Sequence, residues 1–141
     1  MPPRFIDASV FVHAYLRPRR ALRPDEERIK KRARAIVTRL GRGEPVVLSV
    51  VHFCEVANLL EDWMPLGEAA AIQLGLATTE NIRILPVTRN DLLGALALAA
   101  EAEVGSTDAL AVVLMRQEGA TEVYSFDRDF DRFDGIHRVA V

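Results

Sequence analysis

Hydrophobic residues along this chain of 141 residues occur either in short continuous runs or at steps of three to four positions. Segments of the two kinds alternate along the chain, which predicts an α/β fold. Short apolar runs predict strands at residues 4–8, 45–49, 82–87, 122–126 and 137–141. Apolar residues three or four positions apart predict helices at about residues 9–16, 25–40, 50–62, 66–78, 88–100 and 106–118. Because strands alternate with helices, we expect a mainly parallel sheet with helices on both faces, within one domain of residues 1–141.

Polar residues and glycines at the edges of the helical segments predict where the helices begin and end. The predicted N-terminal caps are Ser9, Asp25, Thr88 in a capping box with Asp91, and either Ser106 or Thr107. The predicted C-terminal stops are Gly41, Gly105 and Gly119. With these boundaries, polar side chains that can do chemistry are concentrated at the junctions between strands and helices.

Four carboxylates lie at strand ends or in the first turns of helices. Asp7 and Asp127 come at the ends of predicted strands, and Glu55 and Asp108 lie in the early turns of predicted helices. The carboxyl ends of parallel strands share one edge of a sheet, so we expect all four carboxylates there. Like charges that close together force protonation unless a hard divalent cation binds them. The pattern therefore predicts a metal site.

Neighbouring residues leave some details of this site open. Asp127, Asp129 and Asp131 alternate in a predicted turn, so only one or two of them can face the cluster, and we expect Asp127 to matter most. Every serine of the chain lies within a few residues of one of the acids, where its hydroxyl can cap a helix or hydrogen-bond a ligating carboxylate. The predicted supporting residues are Ser9, Ser106 and Thr107.

Several of these residues also have a purely structural explanation. Asp108 alone fits the preference of acids for helix N-termini, and Asp127 alone fits a turn. Glu55 fits less well, because it lies in an apolar helical segment where an ionised carboxylate needs a partner. His52, one turn earlier, is more often a packed or surface histidine than a metal ligand, since no second histidine has matching spacing. Cys54 is predicted to be a small buried hydrophobe.

Composition limits the class of protein. Half of the residues are hydrophobic, yet no apolar run approaches the ~20 residues of a membrane span, and the N-terminus lacks the pattern of a signal peptide. One cysteine cannot form an internal disulfide. The chain has no Gly-x-Ser-x-Gly motif and no glycine-rich phosphate loop. We expect a cytoplasmic protein without a membrane partner, whose chemistry depends on carboxylates.

The net charge of −2 hides a basic segment. Residues 17–42 hold 11 of the 18 basic residues and only three acidic ones, so the local charge is +8 and the rest of the chain carries −10. A basic segment on an acidic body suits a polyanionic substrate such as nucleic acid, although a solvated helix face explains the charge equally well. The candidate contacts to that substrate are Arg17, Arg19, Arg20, Arg23 and Lys31.

Four motifs together resemble the PIN domain nucleases and, within them, the toxins of VapB/VapC toxin–antitoxin pairs. The motifs are FIDAS at residues 5–9, CEVAN at 54–58, STDAL at 106–110 and SFDRDF at 125–130. They occur in the family's order across almost the whole chain. The resemblance implies a three-layer α/β/α PIN-like fold, Mg²⁺ or Mn²⁺ at the acidic cluster and RNA as the substrate. It also implies a homodimer and an antitoxin that covers the site.

The resemblance implies hydrolysis of RNA phosphodiester bonds by the four carboxylates. Asp7 and Asp108 are the expected direct ligands, while Glu55 and Asp127 complete the ligand set, orient metal-bound water or hold a second ion. A non-catalytic RNA-binding or interaction module with the same fold is the alternative, although it has no need for four clustered carboxylates. A third hypothesis is a metal-dependent phosphatase or phosphoacceptor domain with Asp7 as nucleophile. Ser9 counts against it, because a second acid is expected at that position.

Overall fold

A single parallel sheet forms the centre of the protein. The computed structural model describes residues 2–139. The strands are β1 (Arg4–Ile6), β2 (Val46–Ser49), β3 (Ile82–Leu85), β4 (Glu122–Tyr124) and β5 (His137–Val139). Their order across the sheet is β3–β2–β1–β4–β5, and every neighbouring pair is parallel. The predicted sheet is confirmed, with β5 at an edge, and residues 140–141 of the predicted last strand lie outside the described residues.

Helices cover both faces of this sheet. They are α1 (Ala8–Tyr15), α2 (Pro24–Gly41), α3 (Val50–Trp63), α4 (Leu66–Ala77), α5 (Arg89–Ala102) and α6 (Ser106–Glu118). α1 packs on α2 and α3, and α3 packs on α4, whereas α5 and α6 pack on each other. The helices thus form two groups, in the predicted three-layer α/β/α arrangement. A 3₁₀ turn at Arg128–Arg132 follows β4 and leads towards β5.

The central strands are buried on both sides. Phe5, Ile6, Val47 and Val123 have no exposure to solvent. Strands covered on both faces need apolar side chains at consecutive positions, which explains the continuous hydrophobic runs in the sequence. The ends of the strands are therefore the part of the sheet that a substrate can reach.

Three predicted N-caps are wrong by one or two residues. The observed N-caps are Asp7 rather than Ser9 for α1, Arg23 rather than Asp25 for α2, and Gly105 rather than Ser106 or Thr107 for α6. In α2 the reason is Pro24, whose fixed φ suits the first helical position, so the helix begins there. The predicted capping box is confirmed: Thr88 N donates to Asp91 Oδ2 at 2.9 Å, and Asp91 N donates to Thr88 Oγ1 at 3.1 Å.

The predicted C-terminal stops have a mixed outcome. Gly119 caps α6 in the left-handed conformation, at φ 72°, as predicted. Gly41 is the last residue of α2 and not the residue after it. α5 ends before Gly105, because Glu103 already adopts the left-handed conformation at φ 56°. Short polar residues and glycines therefore located the helix ends approximately, but the strained turn at Glu103 has no sequence signal.

The prediction for Cys54 is wrong, because this side chain is exposed. The buried side of α3 runs through His52, Val56 and Leu60, which are four residues apart. Cys54 lies halfway between two of them and so points away from the core. Separately, no helix within residues 2–139 combines the length and the apolar character that crossing a bilayer requires.

Candidate active site

The carboxyl edge of the sheet brings the predicted carboxylates together. Asp7 follows β1 directly, and Asp127 lies three residues after β4. Asp108 is the third residue of α6, and Glu55 is in the second turn of α3, which leaves β2. β1, β2 and β4 thus lead to three of the acids, and α6, which follows α5 and leads into β4, supplies Asp108 at the same edge.

The tightest group at this edge contains three carboxylates. Oxygens of Asp108, Asp127 and Asp129 all lie within 4.8 Å of one another. Burial raises the pKa of Asp108 to about 8, with further contributions from the charges of Asp127, Asp7 and Asp129. Burial also raises the pKa of Glu55, followed by the charges of Asp7 and Asp127. All five carboxylates therefore belong to one electrostatically coupled site.

The site has almost no positive charge of its own. Among the ion pairs of residues 2–139, none involves Asp7, Glu55, Asp108 or Asp127. Asp129 makes one pair, at 3.7 Å, with an arginine of its own 3₁₀ turn. Repulsion in this group is thus left for a proton or a cation to relieve.

The fourth acidic position, which the sequence left open, differs among its three candidates. Asp127 and Asp129 both belong to the tight group. Asp131 instead accepts hydrogen bonds from the guanidinium of Arg138 at 3.2 Å. The Arg138 bond also lowers the pKa of Asp131. Two acids of the turn face the cluster, and the third is in a surface ion pair.

A buried serine connects two of the acids. Ser125 has no exposure to solvent, and its Oγ donates to Asp7 Oδ2 at 2.9 Å while it accepts from Asp127 N at 2.9 Å. Ser9 Oγ lies 3.4 Å from Ser125 Oγ and accepts from Phe126 N at 3.2 Å. The hydroxyls therefore fix the orientation of Asp7 and the path of the chain into Asp127. Ser125 lies two residues before Asp127 in the sequence but is not among the predicted supporting residues.

The other predicted supporting residues lie at the start of α6. Ser106 is exposed, and the hydrogen bonds within residues 2–139 do not include its hydroxyl. Thr107 is half-buried and contributes its backbone carbonyl, which lies 2.9 Å from Nε2 of His52. His52 itself is fully buried, as expected of a packed histidine. A role for the Ser106 and Thr107 hydroxyls in the reaction stays a prediction.

The chemistry of this donor set fits a hard divalent cation. Carboxylate oxygens are the ligands that Mg²⁺ and Mn²⁺ prefer, and Asp108, Asp127 and Asp129 supply three of them within a small space. Loss of the proton from Asp108, with its pKa of about 8, would add one more charge to the group. A cation there would replace that proton as the compensating charge.

The candidate RNA contacts divide into two kinds. Arg20 donates to both carboxylate oxygens of Glu26 at 2.8 Å, and Arg23 Nε donates to Oε1 of the same residue at 3.0 Å. The Arg20 bond is the main reason why the pKa of Glu26 falls to about 2. Arg19 is exposed in the same loop. Arg20 and Arg23 are thus bound to Glu26 in the first turn of α2, whereas Arg19 is exposed to solvent.

Two other candidates line a basic cleft of about 480 Å³. The basic residues of this cleft are Arg17, Lys30, Lys31 and Arg34. Lys30 Nζ donates to the carbonyls of His13 and Leu16 at 3.2 and 2.5 Å, which places it over the C-terminus of α1. Burial lowers the pKa of Lys30, and so do the charges of Arg34 and Arg17. The cleft is the more concentrated positive site.

Three solved structures with a similar fold are described as VapC20, VapBC2 and a toxin–antitoxin complex. Mycobacterium tuberculosis VapC20, described as a sarcin–ricin loop cleaving toxin, is 22% identical with a TM-score of 0.67, over 90% of this chain and 92% of that chain. A toxin–antitoxin complex from Klebsiella pneumoniae is 13% identical with a TM-score of 0.66, over 94% of both chains. VapBC2 from Rickettsia felis, bound to a fragment of promoter DNA, is 13% identical with a TM-score of 0.64, over 96% of both chains.

The sequence itself gives a family match over nearly its whole length. No curated protein matches the chain significantly. The profile of the PIN domain, however, matches residues 4–136, which include all five carboxylates of the site. With this match and the all-parallel sheet, the chain belongs to the PIN domain family.

Proposed function

We propose that this protein is a divalent-cation-dependent endoribonuclease and the toxin of a toxin–antitoxin pair. The observation that supports it most is the coupled group of carboxylates at the carboxyl edge, in which Asp108 has a pKa of about 8. A structural acid is normally paired, whereas these acids are paired with almost nothing. The toxin role is supported by the neighbours with this fold, which are described as VapC and toxin–antitoxin proteins.

In this proposal Mg²⁺ or Mn²⁺ binds at the group of Asp108, Asp127 and Asp129, and Asp7 and Glu55 stay predicted ligands beside that group. Such an ion, when bound, lowers the pKa of a water and stabilises charge that develops on a phosphate. The chain positions these groups. Ser125 fixes Asp7, and Glu55 reaches the site from a separate helix, where it can orient a water or take its proton.

Substrate affinity in this proposal comes from the basic cleft. Phosphates of a single strand bind lysine and arginine mainly through charge, with displacement of bound counterions. Arg17 and Lys31 line the cleft, whereas Arg20 and Arg23 are engaged by Glu26. We therefore assign most of the RNA affinity to the cleft and less to the loop arginines.

A cleavage assay with matched variants tests the proposal. The full-length protein is incubated with a panel of cellular RNAs, including ribosomal RNA because one neighbour is described as cleaving the sarcin–ricin loop. Each RNA is tested with Mn²⁺, with a chelator, and with Asp108→Asn in place of the wild type. Cleavage that requires both the cation and Asp108 supports the proposal. RNA binding without cleavage under every condition would favour the non-catalytic module instead.

The proposed partners are a second copy of the chain and an antitoxin. Leu92, Leu93 and Leu96 on α5 are about half exposed, and a stable dimer buries apolar side chains of this kind. Light scattering coupled to size exclusion measures the subunit number. A monomer at micromolar concentration would contradict the dimer, and that result would leave the assignment as a nuclease intact.

A further inference from the structure

The buried side chain of His52 belongs to one of the four segments that carry the site and contacts two of the others. His52 is on α3, one turn before Glu55, and has no exposure to solvent. Its ring stands edge-on to Phe5 of β1, with centroids 5.1 Å apart and planes at 83°. Its Nε2 lies 2.9 Å from the carbonyl oxygen of Thr107, the residue before Asp108. His52 therefore bridges α3 to the first turn of α6 while packing on the strand that ends at Asp7.

The hydrogen bonds of His52 specify one form of its ring. The carbonyl of Thr107 can only accept, so Nε2 carries the hydrogen. Nδ1 then accepts from Ser49 Oγ at 2.6 Å, and the same hydroxyl accepts from His52 N at 3.2 Å. Both ring nitrogens are used, so the imidazole is not available as a metal ligand. Ser49, which holds the ring in this orientation, is itself fully buried.

The His52 bridge links the two helices that carry Glu55 and Asp108. Glu55 is on α3 and Asp108 is on α6, so the distance between the two acids depends on how the first turns of these helices are held together. A leucine of similar size would fill the space of His52, but it would not connect α3 to α6. Two polar contacts made by one fully buried ring are therefore better explained by positioning than by packing.

We propose that His52 is a positioning residue of the acidic site: through Ser49 and Thr107 it fixes the first turn of α6 against α3, and with it the place of Asp108 relative to Glu55. Its effect on cation binding rests on the proposed function. The bridge itself depends only on the contacts of the ring. Outer residues that orient metal ligands typically change metal affinity 10–100-fold, and a contact through the backbone belongs at the lower end of that range.

Binding of Mn²⁺ by calorimetry tests this on three full-length variants. His52→Leu removes both hydrogen bonds, and we expect affinity to fall about tenfold. His52→Gln keeps an amide N–H that can reach the Thr107 carbonyl, and we expect it to recover most of the loss. Asn81→Leu is the matched control, because Asn81 Nδ2 donates to two backbone carbonyls at the opposite end of the sheet, at 2.8 and 2.7 Å. It should lose stability and keep the wild-type affinity.

The outcomes separate the positioning role from the proposed function. Wild-type affinity in folded His52→Leu, or equal losses in the leucine and glutamine variants, would overturn the positioning role. If His52→Leu does not fold, Ser49→Ala replaces it, since it removes the hydroxyl that orients the ring, together with the N-cap of α3, and leaves the ring itself in place. If the wild type itself binds no Mn²⁺, the metal-dependent function is wrong. The bridge is then decided by hydrogen exchange at the Ala111 amide in α6, which must accelerate in His52→Leu and not in His52→Gln.

Discussion

Charged residues gather at both ends of the parallel strands, at the amino edge where the strands begin and at the carboxyl edge where they end. The two edges differ in how those charges are compensated. At the amino edge, Arg4 lies 3.7 Å from Glu44 and 3.5 Å from Glu122. The hydroxyl of Tyr124 donates to Glu44 at 2.5 Å and accepts from Arg4 at 2.6 Å. Arg39 completes the group, 4.0 Å from Glu44. Each acid there has a basic partner, so the network stabilises the fold without help from outside the chain.

The carboxyl edge has the acids without the partners. Asp7, Glu55, Asp108 and Asp127 form no ion pair among residues 2–139, and the pKa of Asp108 rises to about 8. Natural folds rarely keep such repulsion unless a ligand uses it. The contrast shows that a group of charges indicates function when its counter-charge is missing, and structure when the counter-charge is present.

The largest expected effect is the loss of function at the uncompensated edge. Asp108→Asn removes a central carboxylate, and we expect Mn²⁺ affinity and RNA cleavage each to fall more than about 100-fold, beyond the range for residues that only orient ligands. Glu44→Gln at the other edge is the control and should change neither by more than about twofold. Calorimetry and cleavage rates measure both. Equal losses in the two variants would remove the distinction between the edges.

Ser125→Ala has the next largest effect. The hydroxyl donates to Asp7 and accepts from Asp127 N, so its removal frees both acids without changing the charge of the site. We expect Mn²⁺ affinity to fall roughly 10- to 100-fold. Thr78→Ala is a matched control, because the Thr78 hydroxyl donates to the carbonyl of Leu74 at 2.7 Å at the end of α4, a helix that carries none of these acids. Wild-type affinity in Ser125→Ala would show that Asp7 does not need this orientation.

Removing a carboxylate charge should change the stability of the protein in opposite directions at the two edges. Without metal, Asp108→Asn removes repulsion and should raise the free energy of unfolding by roughly 1 to 2 kcal/mol at pH 8, a value kept low because the side chain is only partly buried. Glu44→Gln removes an attraction and should lower it by about 1 kcal/mol. Urea titrations of both variants measure the difference. Changes of the same sign would contradict the comparison.

The same difference predicts how stability depends on pH. Asp108 titrates near 3.8 when unfolded and near 8 when folded. Between these two pH values Asp108 holds a proton in the folded state but not in the unfolded state. The stabilisation that this proton gives to the folded state is therefore complete below pH ~4 and is lost as the pH rises to ~8. Melting curves of the metal-free protein should show this fall, and Asp108→Asn should reduce it. Mn²⁺ should also reduce it, because a bound cation replaces the proton.

The smallest effect concerns the basic segment, where pairing again separates two kinds of charge. Arg17→Ala combined with Lys31→Ala removes two open charges, which should flatten the slope of log affinity against log salt by about 1.4. Arg20→Ala combined with Arg23→Ala removes charges already engaged by Glu26 and should change the slope by less than about 0.7. RNA binding at several salt concentrations measures both slopes. Equal changes would mean that the Glu26 pairs open on binding.

Sequence reasoning identified the acids of the site because their positions follow from the order of the elements. Asp7, Glu55 and Asp127 each lie shortly after the end of a strand, and parallel strands bring such ends to one edge. Asp108 is in the first turn of α6, which leads into β4, and a helix that leads into a parallel strand starts at that same edge. Side-chain burial was less predictable. Cys54 lies in an apolar helical segment and is nevertheless exposed, because the helical phase, and not local hydrophobicity, decides which side faces the core.

The sequence by itself determined the α/β architecture, the edge that holds the acids and the presence of a basic segment, since all three depend on local pattern and chain order. Tertiary structure alone decided which charges are compensated. Asp131 pairs with Arg138 and Arg20 with Glu26, while Asp129 joins the acidic site and His52 bridges two helices that carry it. The physical reason is that an electrostatic interaction depends on distances of a few ångströms between side chains from different segments, and those distances exist only in the folded chain.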